Sequence, residues 1–293
     1  MNNNWKQVAW NGIRFNTPST WEVGQISARH LILENDSEPA MEVKWGPIKG
    51  KFSHPTHLKR LSALHRKVLQ KTVTEWQLPF DWEEALSDYQ VSGFSWQGRK
   101  TIGRGVILYC SSCRNATLIQ FFQPKSAKTD KIPLEVLKTL NDHRDDDQIV
   151  WCVFDIRAII PKNYKLVHHR FAAGKYELGF ADGAQKINLY RWAPASVLLN
   201  EQNLCQFAKT IPDFSSGNPI PGIIEGYQAV KWCQIPRFKW LRWTSRLMPK
   251  PSYQWWRLWH VKEKNRILGV KIQAKRLLNT YLLNTICTNY ESL

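Results

Sequence analysis

An internal repeat constrains the fold of this 293-residue chain more than any other feature of its sequence. Residues 10–21 match residues 154–164 at an offset of 143, because both contain Ile-Arg, then a proline, then an aromatic residue three positions later. Two further matches, at offsets of 147 and 150, pair residues 41–47 with 188–194 and residues 108–119 with 258–269. Three matches in the same order over two halves predict a tandem duplication.

Hydrophobic periodicity assigns the elements of each half. Alternating apolar positions that end at a proline turn indicate half-buried strands. In the first half, Leu58, Leu61, Leu64 and Val68 form an apolar stripe that predicts a helix over residues 55–70. The other predicted elements are strands at 105–110, 117–122, 255–261 and 267–272, and helices at 134–140, 196–209 and 276–286.

The predicted order in each half is three strands, a helix, three strands and a helix. Strands that follow one another through short turns favour antiparallel pairing, so we predict an α+β fold of two similar domains, each an antiparallel sheet flanked by helices. The predicted domains are 1–141 and 149–293, joined by an acidic linker at 142–148. The mass of 34.3 kDa and a hydrophobic content of 43% are enough for a core in each domain.

Residues 10–21, with the pattern Trp-x-Gly-x-x-Phe-x-x-Pro-x-x-Trp, resemble the opening of Mog1/PsbP-like domains. Those domains are antiparallel sheets sandwiched between helices. The second half differs from the pattern, with Asp155 in place of the glycine and Tyr164 in place of the second tryptophan. The resemblance implies tandem binding or assembly-factor domains rather than an enzyme, and it supplies no active-site residues.

Positive charge is concentrated in the second half. The chain has a net charge of +17, and residues 149–293 hold 21 Lys and Arg against 8 Asp and Glu, whereas residues 1–148 hold 20 against 16. The segment 231–276 alone carries 13 basic residues and six tryptophans, with Glu263 as its one acidic residue. Such a segment indicates a polyanionic partner.

Basic side chains interleaved with aromatic rings are typical of nucleic-acid binding, since cations neutralise phosphates and indoles stack on bases. Residues 236–252 are predicted to be an insertion relative to the first half. The candidate nucleic-acid or partner-binding residues in it are Arg237, Lys239, Trp240, Arg242, Trp243, Arg246 and Lys250. Two alternatives stay open: the tryptophans belong to the core, or the segment binds an acidic protein within a larger complex, where the chain acts as a scaffold or assembly factor.

Cys110 and Cys113 form a CxxC pair at the end of a predicted strand, and such a turn places two thiols on one side, as a zinc site requires. The sequence has no second CxxC, and the corresponding positions of the second half are His260 and Glu263. A Cys-Cys-His-Glu site between the halves is therefore one hypothesis. The alternative is a pair of partly buried thiols.

No spacing typical of a phosphate loop, a dinucleotide fold or a catalytic triad is complete, so we predict a non-enzymatic binding protein without a cofactor. The N-terminal residues lack the pattern of a secretory signal, and no apolar run is long enough to span a bilayer. Six cysteines in a chain of this length are too few for a disulfide scaffold. These features predict a cytoplasmic protein without membrane insertion.

Overall fold

The computed structural model divides the chain into two compact units. Unit 1 is Met1–Asp145 with Cys152–Phe154, and unit 2 is Asp146–Trp151 with Asp155–Leu293. The structure describes residues 4–69, 73–98, 101–125, 131–142, 147–211, 218–234, 253–275 and 280–293. Within these ranges, every helix is too short or too polar to cross a membrane.

The described residues of unit 1 form antiparallel strands and three helices. Its strands are β1 (Trp5–Trp10), β2 (Ile13–Pro18), β3 (Glu22–Ser27), β4 (His30–Asn35), β5 (Glu38–Pro47), β6 (Val73–Glu75), β7 (Gln90–Gln97), β8 (Thr101–Tyr109) and β9 (Asn115–Pro124). Its helices are α1 (His54–Leu69), α2 (Phe80–Ala85) and α3 (Lys131–Lys138). Seven of the strands form one sheet in the order β3-β4-β5-β9-β8-β7-β6.

Short turns with left-handed residues connect the first strands of unit 1. Asn11 and Gly12, with φ of 47° and 93°, join β1 to β2, and Asp36 and Ser37, with φ of 51° and 65°, join β4 to β5. Two consecutive residues with positive φ match the right-handed twist of the paired strands. These turns explain why the chain returns on itself without a helix until residue 54.

The sheet of unit 1 is buried on both faces. Against α1 lies a cluster that contains Leu61, Phe94, Trp96 and Ile107. On the opposite face, Trp82 of α2 is 2% exposed and its ring lies edge-on to Phe121, with the ring centroids 5.8 Å apart. The helices therefore cover the sheet from two sides.

Unit 2 has the same kinds of elements. Its strands are β10 (Gln148–Val153, of which Gln148–Trp151 belong to this unit), β11 (Ile156–Pro161), β12 (Lys165–Ala172), β13 (Lys175–Ala181), β14 (Gln185–Trp192), β15 (Ile220–Ile224), β16 (Tyr227–Gln234), β17 (Tyr253–Val261), β18 (Arg266–Ala274) and β19 (Tyr290–Ser292). Its helices are α4 (Ala195–Leu198), α5 (Leu204–Thr210) and α6 (Thr280–Thr288). Seven of the strands form one sheet in the order β12-β13-β14-β18-β17-β16-β15.

A stack of aromatic rings forms the core of unit 2 under α5. The Trp256 ring lies between Tyr190 and Trp232, with centroids 5.4 Å and 5.1 Å away and interplanar angles of 16° and 10°. Phe207 of α5 lies edge-on to Trp192. Because offset-stacked rings gain more than their buried area alone, this stack stabilises the packing of α5 on the sheet.

Antiparallel sheets combined with helices confirm the predicted α+β character, but three details of the predicted order are wrong. Four strands, not three, lie between the first and the last helix of each unit. Five strands, not three, precede the first helix of each unit, since the tight turns between them were not counted. The helix predicted over 196–209 is split into α4 and α5. The physical reason is a new N-cap at Asn203, whose side chain accepts the Gln206 backbone N–H at 2.9 Å while Gln206 Oε1 accepts the Asn203 backbone N–H at 2.7 Å.

Candidate functional site

The predicted binding residues of the insertion, 237–250, lie outside the described residues. Residues 231–234 and 253–275 of the basic, Trp-rich segment are described, and their burial bears on the alternative that its tryptophans belong to the core. Trp232, Trp255, Trp256 and Trp259 are 4%, 5%, 1% and 2% exposed. These four indoles are core residues, so they cannot stack on the bases of a nucleic acid.

A basic surface is found instead on β12, β13 and β14. The register aligns Lys165 with Ala181 and Lys186, and it aligns Arg170 with Glu177. Because directly paired residues of an antiparallel sheet point to the same side, one face of these strands collects five basic residues. We call it the basic sheet face; its residues are Lys165, His168, Arg170, Lys175 and Lys186.

The basic sheet face is open to solvent. Lys165, His168, Arg170 and Lys186 are exposed. Its one acidic residue is Glu177, whose carboxylate lies 3.4 Å from the Lys175 ammonium and 3.9 Å from His168 Nε2. Four cations and one carboxylate leave this face positively charged.

The basic sheet face reaches the edge of the unit 2 sheet, because β12 is an edge strand. It is the outermost of the seven strands, and the register shifts between Leu166 and His168. Val167, at this irregularity, is 62% exposed. Basic side chains and bulges on an edge strand prevent it from pairing with the strands of other molecules. This surface therefore offers positive charge to a partner, and not an apolar strand edge.

The aromatic rings on the same face are not available to a ligand. Tyr190 and Trp192 point to this side but are 4% and 7% exposed, and the Lys175 ammonium lies over the Tyr190 ring, 5.1 Å from its centroid. The neighbouring Arg191 points to the other side, where it is 6% exposed. Its Nε lies 3.0 Å from Asp155 Oδ2, and the same oxygen lies 2.8 Å from Arg266 Nε, so Asp155 is shared by two arginines inside unit 2.

The CxxC pair has a third neighbour within unit 1. One ligand atom each from Cys110, Cys113 and Asp142 lies within 4.8 Å of the others. Partial burial of the thiol, together with Cys110 and Asp142, raises the pKa of Cys113 to about 12, although part of this residue stays exposed. Burial also raises the pKa of Tyr89, whose hydroxyl is hydrogen-bonded to Asp142. The sequence-based hypothesis with His260 and Glu263 would join the two units and stays a prediction.

Unit 1 also contains a cavity of about 380 Å³ between α1 and the sheet. Lys44 and Gly46 of β5 line this cavity. In unit 2, β14 carries Tyr190 and Trp192 on the sheet face that α5 covers. The cavity thus lies on the face of the unit 1 sheet that α1 covers.

The floor of the cavity is a buried polar network. Gln120 donates a hydrogen bond to Glu42 and accepts one from Trp96 Nε1 at 3.1 Å. Burial opposes ionisation of Glu42, but Lys44, Gln120 and His30 outweigh it and lower the pKa of this carboxyl. Since each of these groups already has a partner, the network explains how a carboxylate is tolerated in the interior.

Comparisons with known proteins do not add a function. No family model matches the chain, and no curated protein matches it. Among solved structures, a protein from Bacteroides thetaiotaomicron is 14% identical, over 54% of this chain and 53% of that one, with a TM-score of 0.30. The match thus spans about half the length of that protein.

Two structures of the immunity protein TplEi of the T6SS from Pseudomonas aeruginosa match over nearly the whole length. The apo form is 10% identical over 99% of this chain and 98% of that one, with a TM-score of 0.34. The form complexed with "L" peptide is 8% identical over 100% and 99%, with a TM-score of 0.32. Similarity at this level supports no functional transfer.

Proposed function

We propose that this chain is a non-enzymatic binding protein whose second unit docks an acidic segment of a partner protein. The observation that supports the proposal most is the basic sheet face, which carries four cations and His168 against the single carboxylate of Glu177. A surface of one sign of charge attracts and orients a partner of the opposite sign.

The burial of the described indoles of unit 2 favours an acidic protein over a nucleic acid. Nucleic-acid grooves without sequence preference combine cations with exposed aromatic rings on which bases stack. On the basic sheet face Tyr190 and Trp192 are buried. The nucleic-acid hypothesis therefore depends on residues 237–250, outside the described ranges, whereas the hypothesis of an acidic protein partner rests on described side chains.

A titration with two polyanions tests this proposal. Polyglutamate and a single-stranded oligonucleotide of equal charge are each bound to the full-length protein over a range of salt concentrations. We expect polyglutamate to bind more tightly and to lose affinity as salt rises, because exposed charges are screened within about 10 Å at 0.1 M salt. Tighter binding of the oligonucleotide would favour the nucleic-acid alternative and contradict the proposal.

A matched pair of triple variants locates the surface. The variant K165A/R170A/K186A removes three charges from the basic sheet face. The control K209A/K231A/K264A removes three exposed charges elsewhere in unit 2. At about 0.5 kcal/mol per exposed charge pair, the first variant should weaken polyglutamate binding about tenfold. Equal losses in both variants would show that net charge, and not this face, is responsible.

We also propose that the two units arose by tandem duplication. In each seven-stranded sheet, the first three strands in chain order form one side and the last four return in reverse order on the other. The first helix of each unit follows the third of these strands, and a later helix follows the last one. Kinship with Mog1/PsbP-like domains stays a prediction. Under this proposal the second copy acquired the binding surface after duplication.

A further inference from the structure

The turn between β8 and β9 brings two cysteines into one small cluster. Cys110 follows the last residue of β8, and its backbone N–H donates to the Asn115 carbonyl at 3.0 Å. The Cys113 backbone N–H donates to Cys110 Sγ at 3.3 Å. Arg114, directly after the second cysteine, has a left-handed φ of 56°. This turn directs both sulfur atoms to the same side.

Asp142 reaches the same place from a different element. It follows α3, and its neighbour Asn141 pairs with Arg14 of β2 through backbone hydrogen bonds of 2.9 Å and 2.8 Å. This pairing fixes the segment, and it places Asp142 Oδ2 3.7 Å from Cys113 Sγ. Asp142 is 3% exposed. A carboxylate is therefore held next to two thiols inside unit 1.

We infer that Cys110, Cys113 and Asp142 form a site for a zinc ion. Tetrahedral zinc accepts thiolates at about 2.3 Å and carboxylate oxygens at about 2.0 Å, which puts such sulfur and oxygen atoms about 3.5 Å apart. The observed 3.7 Å between Cys113 Sγ and Asp142 Oδ2 is close to that separation. Two sulfurs and one oxygen suit zinc better than magnesium or calcium, which bind oxygen ligands.

Three protein ligands leave the fourth position of the tetrahedron to water. Cys113 is exposed, so solvent reaches the cluster on its side. On binding, two Zn–S bonds and one Zn–O bond form, and the two thiol protons pass to solvent. The bound ion connects the β8–β9 turn to the segment after α3, two parts of unit 1 that are about 30 residues apart in sequence.

Metal analysis of the full-length protein, purified without chelators and supplied with zinc, is the first test. We expect about one equivalent of zinc per chain, and loss of most of it in C113S and in D142N. The matched control is C233S, which changes an exposed cysteine of unit 2 and should retain the metal. Circular dichroism checks that each variant is folded. Equal zinc contents in wild type, C113S and D142N would overturn the proposal.

Thiol protection tests the same site without a substitution. The protein is treated with iodoacetamide with and without EDTA, and labelling is mapped by mass spectrometry. EDTA should raise labelling of Cys113, because a sulfur atom that is bound to a metal cannot be alkylated and removal of the metal frees it, while labelling of Cys233 should not change. Unchanged labelling of Cys113, or a disulfide between Cys110 and Cys113 in the freshly purified protein, would contradict a metal site.

Discussion

Replacement of Trp256 tests whether the indoles of the second half are core residues. Its ring is 1% exposed, lies between Tyr190 and Trp232, and has the Lys271 ammonium 5.0 Å from its centroid. Removing a buried tryptophan side chain costs about 3–5 kcal/mol. Loss of the stacked contacts and of the cation–π contact acts in the same direction, so W256A should lower the free energy of unfolding by about 5 kcal/mol.

Urea unfolding followed by circular dichroism measures this change. W256F retains one aromatic ring in the stack and should lose only about 1–2 kcal/mol. W5A, at a position 36% exposed in unit 1, is the control and should change the stability by about 1 kcal/mol or less. If W256A unfolded like the wild type but no longer bound polyglutamate, Trp256 would be a binding residue and the reasoning from burial would be wrong.

Three further substitutions have effects that the structure defines. D155N should destabilise unit 2 by about 3 kcal/mol in urea unfolding, because it removes the charge partner of the buried Arg191. G105A should destabilise unit 1 by about 2 kcal/mol or more in the same assay, since an added Cβ would lie 2.3 Å from the Ile119 carbonyl oxygen. The pKa of Glu42 in the folded state is below the ordinary value of 4.5. The ionised Glu42 carboxylate therefore stabilises the folded protein above pH 4.5, and this stabilisation is lost as the pH falls through the folded-state pKa. Below about pH 4.5, the free energy of unfolding should therefore decrease less steeply with falling pH in E42Q than in the wild type. Equal slopes would contradict the role given to Glu42. Wild-type stability in D155N or in G105A would contradict the reasoning for that residue.

Periodicity located most of the regular elements because their packing follows simple patterns. The apolar stripe that includes Leu58 and Leu61 predicted α1, and the alternating segments predicted β8, β9, β17 and β18. The break before α5 at Asn203 was not predicted, because the apolar pattern continues across the capping box although the helix is interrupted there. Its Asn-x-x-Gln spacing is the local signal that was available.

The candidate binding surface was harder to predict. Basic residues next to tryptophans indicated a binding segment at 231–276, but four of the tryptophans in it are buried in the core. The basic sheet face is formed by residues of three strands, and only their register places Lys165 and Lys186 in one row. Likewise, Cys110 and Cys113 were visible in the sequence, whereas Asp142 joins them only through the pairing of Asn141 with Arg14.

Zero-length crosslinking tests the proposed docking surface most directly. A carbodiimide couples a lysine to a carboxylate only when the two groups are in contact, so the coupled lysines identify the bound surface. With polyglutamate at moderate salt, we predict that coupling is concentrated on Lys165, Lys175 and Lys186. Coupling that is spread evenly over the exposed lysines, including Lys209 and Lys264, or that avoids the basic sheet face, would contradict the account.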